Sequence, residues 1–130
     1  MTLTDRFGRI HRDLRISLTD HCNLRCTYCM PAEGVPWLPR KTLLTPEELM
    51  RIVRVAVGEG IEEVRLTGGE PLLRPDCVAV VAAIASVEPR PEISITTNGI
   101  GLSRLAEALK QAGLARVNIS LDTLKPDRFH

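Results

Sequence analysis

Residues 13–29 read Asp13-Leu14-Arg15-Ile16-Ser17-Leu18-Thr19-Asp20-His21-Cys22-Asn23-Leu24-Arg25-Cys26-Thr27-Tyr28-Cys29. The first seven alternate, Leu14, Ile16 and Leu18 on one face and Arg15, Ser17 and Thr19 on the other, and that alternation predicts a strand with one buried face. Directly after it come three of the chain's four cysteines. Thiolates so close together are soft ligands, and the candidates are zinc, a redox pair or an iron–sulfur cluster. A structural zinc site usually takes two paired Cys/His knuckles, which one knuckle of three cysteines fits poorly; His21 or Cys77 would have to supply the fourth ligand. A cubane 4Fe–4S cluster takes one thiolate per iron. Three cysteines would leave one iron open, and an open metal position is a binding site. Three purely structural thiols remain the bland alternative, although packing does not call for that spacing in a loop.

Outward from this stretch the pattern repeats. Residues 31–44 carry Pro31, Gly34, Pro36, Trp37 and Pro39 without periodicity and extend the cysteine loop, at a length usual for functional loops. Trp37 could close over a cofactor or plug a gap between loop and body. Thr45-Pro46-Glu47-Glu48 is a capping box with proline at the first helical position. Leu49, Ile52, Val53, Ala56 and Val57 then recur at helical spacing up to a stop at Gly60. A second strand is expected over about 62–68, ending in Gly68-Gly69-Glu70-Pro71. A second helix follows over about 75–87 and a third strand over 92–98. The third helix is expected over 102–112, stopped by Gly113, and the fourth strand over 116–122. Residues 1–12 form a polar lead-in.

Four strands alternating with helices imply a parallel sheet with crossover connections. Each strand keeps one aliphatic and one polar face, whereas a doubly wound sheet buries both. The expectation is therefore an incomplete parallel (β/α) barrel of about four strands and three helices, its polar faces lining a lumen. The cysteine loop, the Gly-Gly turn and Asn98-Gly99 all follow strand ends, on the rim where such barrels place their chemistry.

Composition narrows the class. Hydrophobic residues at 44% and charged residues at 25% are ordinary for a globular chain of 130 residues. A net charge of +1 gives no general attraction to nucleic acid or membrane. No apolar run is long enough to span a bilayer, and clustered free thiols suit a reducing compartment, so a cytoplasmic location is expected. Arginine outnumbers lysine 14 to 3, which fits phosphate ligands or a GC-rich coding bias equally well.

Arg15 and Arg65 both fall on the lumen side of adjacent strands, where a cation is costly unless an anion meets it. Pairing with Glu63, Glu70 or Asp122 would satisfy them, as would a carboxylate or phosphate ligand. Thr96, Asn98, Ser120 and Asp122 could offer hydrogen bonds to a ribose or an amino acid. Cys77 is expected to be a small buried residue, and His11 and His21 polar loop residues.

The C-x-x-x-C-x-Tyr-C run, followed after a strand by Gly-Gly-Glu-Pro, resembles the paired motifs of the radical S-adenosylmethionine (SAM) enzymes. In that superfamily SAM chelates the open iron, and the backbone and carboxylate of the Gly-Gly-Glu motif receive its amino group. A closer resemblance rests on 5–9, 13–20, 22–31, 64–74, 96–99 and 118–122. Together these look like the GTP 3′,8-cyclases of molybdenum-cofactor biosynthesis, over almost the whole chain. The resemblance implies that Cys22, Cys26 and Cys29 hold a 4Fe–4S cluster, that Tyr28, Gly69 and Ser120 contact SAM, and that Arg15, Arg65 and Thr96 contact GTP. It further implies reductive cleavage of SAM to a 5′-deoxyadenosyl radical that converts GTP to 3′,8-cyclo-7,8-dihydroguanosine 5′-triphosphate. An electron donor such as flavodoxin or ferredoxin and, as a pathway neighbour, cyclic pyranopterin monophosphate synthase would be its partners.

Members of that family are longer, with two further barrel units, a second three-cysteine cluster and a terminal Gly-Gly. The expectation is accordingly an N-terminal portion of the barrel domain spanning 1–130, with open sheet edges prone to self-association. It would bind a cluster without completing the cyclisation alone. The alternatives are a non-catalytic iron–sulfur or SAM-binding module and a radical SAM enzyme with another substrate, such as a peptide. Two lumen arginines argue against the peptide.

Overall fold

The computed structural model describes residues 2–19 and 43–120. A two-residue antiparallel hairpin comes first, β1 (Leu3–Thr4) against β2 (Ile10–His11). Its turn is built by one side chain. Asp5 Oδ1 accepts from the amides of Phe7 and Arg9, and Oδ2 from Arg9 Nε at 2.6 Å. The sequence reading left this segment as a lead-in, because two-residue strands carry no periodicity.

The main sheet has four parallel strands in chain order: β3 (Asp13–Ser17), β4 (Glu63–Thr67), β5 (Glu92–Thr97) and β6 (Arg116–Ile119). Parallel neighbours need crossover segments. The described crossovers carry α1 (Pro46–Gly58) before β4, α2 (Cys77–Ala85) before β5 and α3 (Leu102–Ala112) before β6. Observed bounds lie within about two residues of the expected ones, and α3 coincides with its expected span; β6 ends at Ile119, and residues 121–122 of its expected span lie outside the described residues. At α1 the capping box is complete: Thr45 Oγ1 accepts from the Glu48 amide and Glu48 Oε1 from the Thr45 amide, both at 3.1 Å. One unforeseen element is a short 3-10 turn over Pro71–Leu73.

Val64, Leu66, Ile93 and Ile95 from the strands join Leu49, Val53, Val80, Val81, Ile84 and Leu109 from the three helices in a single buried cluster. The helices thus share one face of the sheet. Ile52 departs from the sequence reading, remaining 44% exposed at the margin of α1.

The other face carries the polar residues in rows fixed by register. Asp13, Glu63 and Glu92 lie side by side at the N-terminal ends of their strands. Arg15, Arg65, Ser94 and Arg116 form the next row. Above them come Ser17 beside Thr67 and Thr96 beside Asn118. On the central strands Glu63, Arg65, Thr67 and Thr96 are partly shielded, Ser94 is buried and Glu92 is exposed; on β3 and β6 the row residues are exposed.

Candidate functional site

All four strands point the same way, so their C-terminal ends make one rim. Backbone hydrogen bonds lock it. The Leu18 amide donates to Thr67 O at 2.9 Å, the Gly69 amide to Thr19 O at 2.7 Å and the Ser120 amide to Thr97 O at 2.9 Å. The chain leaves this rim after Thr19 toward the cysteines. Cys22, Cys26, Cys29 and Tyr28, together with Trp37, His21 and Asp122, lie outside the described residues.

The Gly-Gly turn is shaped by contact with β3. A Cβ on Gly68 (φ +134) would stand 2.5 Å from Thr19 O, so only glycine lets the two strand ends approach this closely. Gly69 spends its amide on Thr19, while its carbonyl accepts no hydrogen bond among the described residues. Among the described residues that oxygen is an unused acceptor at the rim, of a kind that suits a ligand's ammonium group.

Glu70 has a structural part to play at the rim. Its side chain is 1% exposed, and its carboxylate accepts from the Leu72 amide (3.0 Å), Thr97 Oγ1 (2.7 Å) and the Asn98 amide (2.7 Å). These bonds tie the exit of β4 to the end of β5. The carboxylate is a latch between two rim turns. Asn98 Oδ1 in turn accepts from the Ile100 amide, and Thr97 Oγ1 from the Gly99 amide.

Arg15 and Arg65 are register partners on adjacent strands, as the alternation implied. Arg15 is exposed and makes no ion pair among the described residues. Arg65 Nη2 leans toward Asp13 (3.6 Å) and Glu63 (3.7 Å), long contacts between half-exposed groups. Its Nε is buried and has no hydrogen-bond partner among the described residues. Arg116, which the sequence reading passed over, joins the same row and reaches Glu92 at 3.4 Å and Glu63 at 4.0 Å. Alternation on β6 could have found it. Thr96 lies one row nearer the rim, about 6.6 Å along the strand direction. Three cations thus face an acidic row on one side and a row of hydroxyls and an amide on the other, an arrangement suited to a polyanionic ligand with a sugar.

Cys77 is buried at the start of α2, as expected. Burial first, then the neighbouring Asp76 carboxylate, pushes its thiol up to about 11. Among the described residues no group of three or more His, Cys, Asp or Glu side chains is placed to hold a metal. No described helix is long and apolar enough to cross a membrane.

A family model, the radical SAM superfamily, matches residues 16–130. The chain is 63% identical over 128 residues to the GTP 3′,8-cyclase of Streptomyces coelicolor, covering 98% of this chain and 38% of that protein. It is 58% identical over 127 residues to molybdenum cofactor biosynthesis protein 1 of Bos taurus, covering 98% of this chain and 20% of that one. The chain therefore spans well under half the length of these relatives. Among solved structures it is similar to BtrN in an open conformation, with a TM-score of 0.65 at 21% identity over 92% of this chain and 54% of that chain. BtrN in complex with AdoMet and 2-DOIA gives 0.63 at 19% identity, covering 85% and 46%. At that identity the likeness speaks to the fold alone.

Proposed function

The chain belongs to the radical SAM superfamily, and from that premise we propose that it forms the SAM-binding part, and a portion of the substrate wall, of a GTP 3′,8-cyclase of molybdenum-cofactor biosynthesis. One observation carries the substrate assignment: the row of Arg15, Arg65 and Arg116, with the buried Nε of Arg65 lacking a partner among the described residues. A buried donor without an acceptor is costly, and a phosphate oxygen is the acceptor that an arginine row suits best. The likeness to cyclases at 58–63% identity supports the same reading.

The donor set fits a 4Fe–4S cluster: three thiols, one fewer than the irons, in one segment that follows Thr19 at the rim. Cys22, Cys26 and Cys29 hold it in this reading. Cluster and SAM together supply an electron and, from it, a 5′-deoxyadenosyl radical able to take hydrogen from an unactivated carbon. Gly69 accepts from the SAM ammonium group through its carbonyl, and Tyr28 and Ser120 complete that pocket. Arg15 and Arg65 bind and orient the GTP phosphates, and Thr96 positions the nucleoside a row closer to the rim. The electron comes from a small reductant such as flavodoxin or ferredoxin, and cyclic pyranopterin monophosphate synthase takes the product.

The test is anaerobic reconstitution with iron and sulfide, dithionite reduction and EPR with and without SAM. A reduced 4Fe–4S signal that shifts on adding SAM is expected. Zinc in place of iron, or a signal indifferent to SAM, refutes the cofactor half. GTP titration of an Arg65→Met variant addresses the other half: affinity should fall at least tenfold, and unchanged affinity refutes the substrate assignment.

A further inference from the structure

Arg74 sits where three pieces of the chain meet. Its side chain is only 7% exposed, and every arm of its guanidinium group is engaged. Nη1 donates to Leu18 O at 3.1 Å, Nη2 donates to Leu44 O, and Nε donates to Asp76 Oδ1 at 2.6 Å. Leu18 follows β3 and is held to β4 through its amide; Leu44 precedes Thr45, the cap of α1. Between those two carbonyls the chain carries all three clustered cysteines.

We propose that Arg74 is a positioning residue for the metal cluster, a guanidinium staple that fixes the separation of the two backbone points between which the three-cysteine segment runs. The inference rests on the reading that those thiols hold a cluster. Its own ground is the geometry of the described residues. Arginine presents five N–H donors in fixed planar directions, so one side chain can span two carbonyls and a carboxylate at once. Lysine has three donors on a single nitrogen and lacks that planar fork. The carboxylate partner is committed to the same task. Asp76 stands at the N-cap of α2 but makes no side-chain capping hydrogen bond, its oxygens being turned to Arg74 instead. A cap given up for an ion pair marks the pair as the more demanding requirement. Groups that orient ligands from behind commonly change metal affinity by ten- to a hundredfold.

The test follows iron loss from the anaerobically reconstituted 130-residue chain to a ferrous chelator, beside the melting temperature of each variant. Arg74→Lys, Arg74→Met and Asp76→Asn should each release iron about tenfold faster or more. Leu109→Ala serves as the control, since it opens the core beneath α3 and lowers the melting temperature without removing any of the Arg74 hydrogen bonds to Leu18, Leu44 or Asp76. It should release iron at the rate of the unchanged chain. If Arg74→Met fails to fold, the Lys and Asn variants carry the test. Iron release unchanged in the Arg74 and Asp76 variants, or accelerated equally in Leu109→Ala, overturns the positioning role. An unchanged chain that takes up no iron fails differently: it overturns the cluster reading and this inference with it.

Discussion

At the scale of single residues, the rim depends on groups that are costly to replace. Gly68 combines a positive φ with a Cβ direction blocked by backbone, the Thr19 carbonyl, which cannot move aside without losing the Gly69 amide. Gly68→Ala should therefore destabilise by about 1–3 kcal/mol in urea unfolding. A loss below about half a kcal/mol would show that the turn relaxes freely. Glu70 makes a sharper case, because glutamine has its shape. One oxygen serves the Asn98 amide and the other serves the Leu72 amide, so a glutamine in either orientation turns its NH2 toward one backbone N–H. The cost of that clash should be about 1–3 kcal/mol in Glu70→Gln. Stability equal to the unchanged chain would contradict the latch.

Individual elements differ in how far the sequence announced them. The main strands and helices were legible because alternation and helical spacing are local signals, and Thr45-Pro46-Glu47-Glu48 marked the start of α1 to the residue. The hairpin β1–β2 was not, since its organiser is Asp5 rather than any periodicity. Partial desolvation pushes the Asp5 carboxyl up, but amide hydrogen bonds from Arg9 and Phe7, with the Arg9 and His11 side chains, outweigh it and hold the pKa below the ordinary 3.8. A depressed carboxyl pKa contributes stability that is fully present above 3.8 and is lost as pH falls through the lower, folded value. The Phe7 and Arg9 amide signals should therefore stay put in NMR down to about pH 4 and collapse toward unfolded positions below it. A hairpin that loosens well above pH 4, while the Asp5 carboxyl is still ionised, would show that the carboxylate does not hold it.

For the molecule as a whole, the sequence read well wherever one strand or helix decides the outcome and poorly wherever two distant segments meet. The bonds of Glu70 to Thr97 and of Arg74 to Leu18 span 27 and 56 positions, and nothing near either residue marks its partner. The arginine row was partly legible: Arg15 and Arg65 followed from alternation and Glu63 was among their expected partners, but Asp13 and Glu92 entered only with the register. That register has a consequence for binding. Glu63 touches both Arg65 and Arg116 from the row beneath and so competes with any anion for two of the three cations. The competing pairs are half exposed, a setting in which ion pairs are worth about 0.2–1 kcal/mol. Glu63→Gln should accordingly leave folding stability within about 1 kcal/mol and tighten GTP binding about two- to fivefold by calorimetry, with the gain shrinking as salt is raised. Weaker binding in that variant would reverse the assignment, making Glu63 the residue that aims Arg65 at its ligand rather than the one that holds it back.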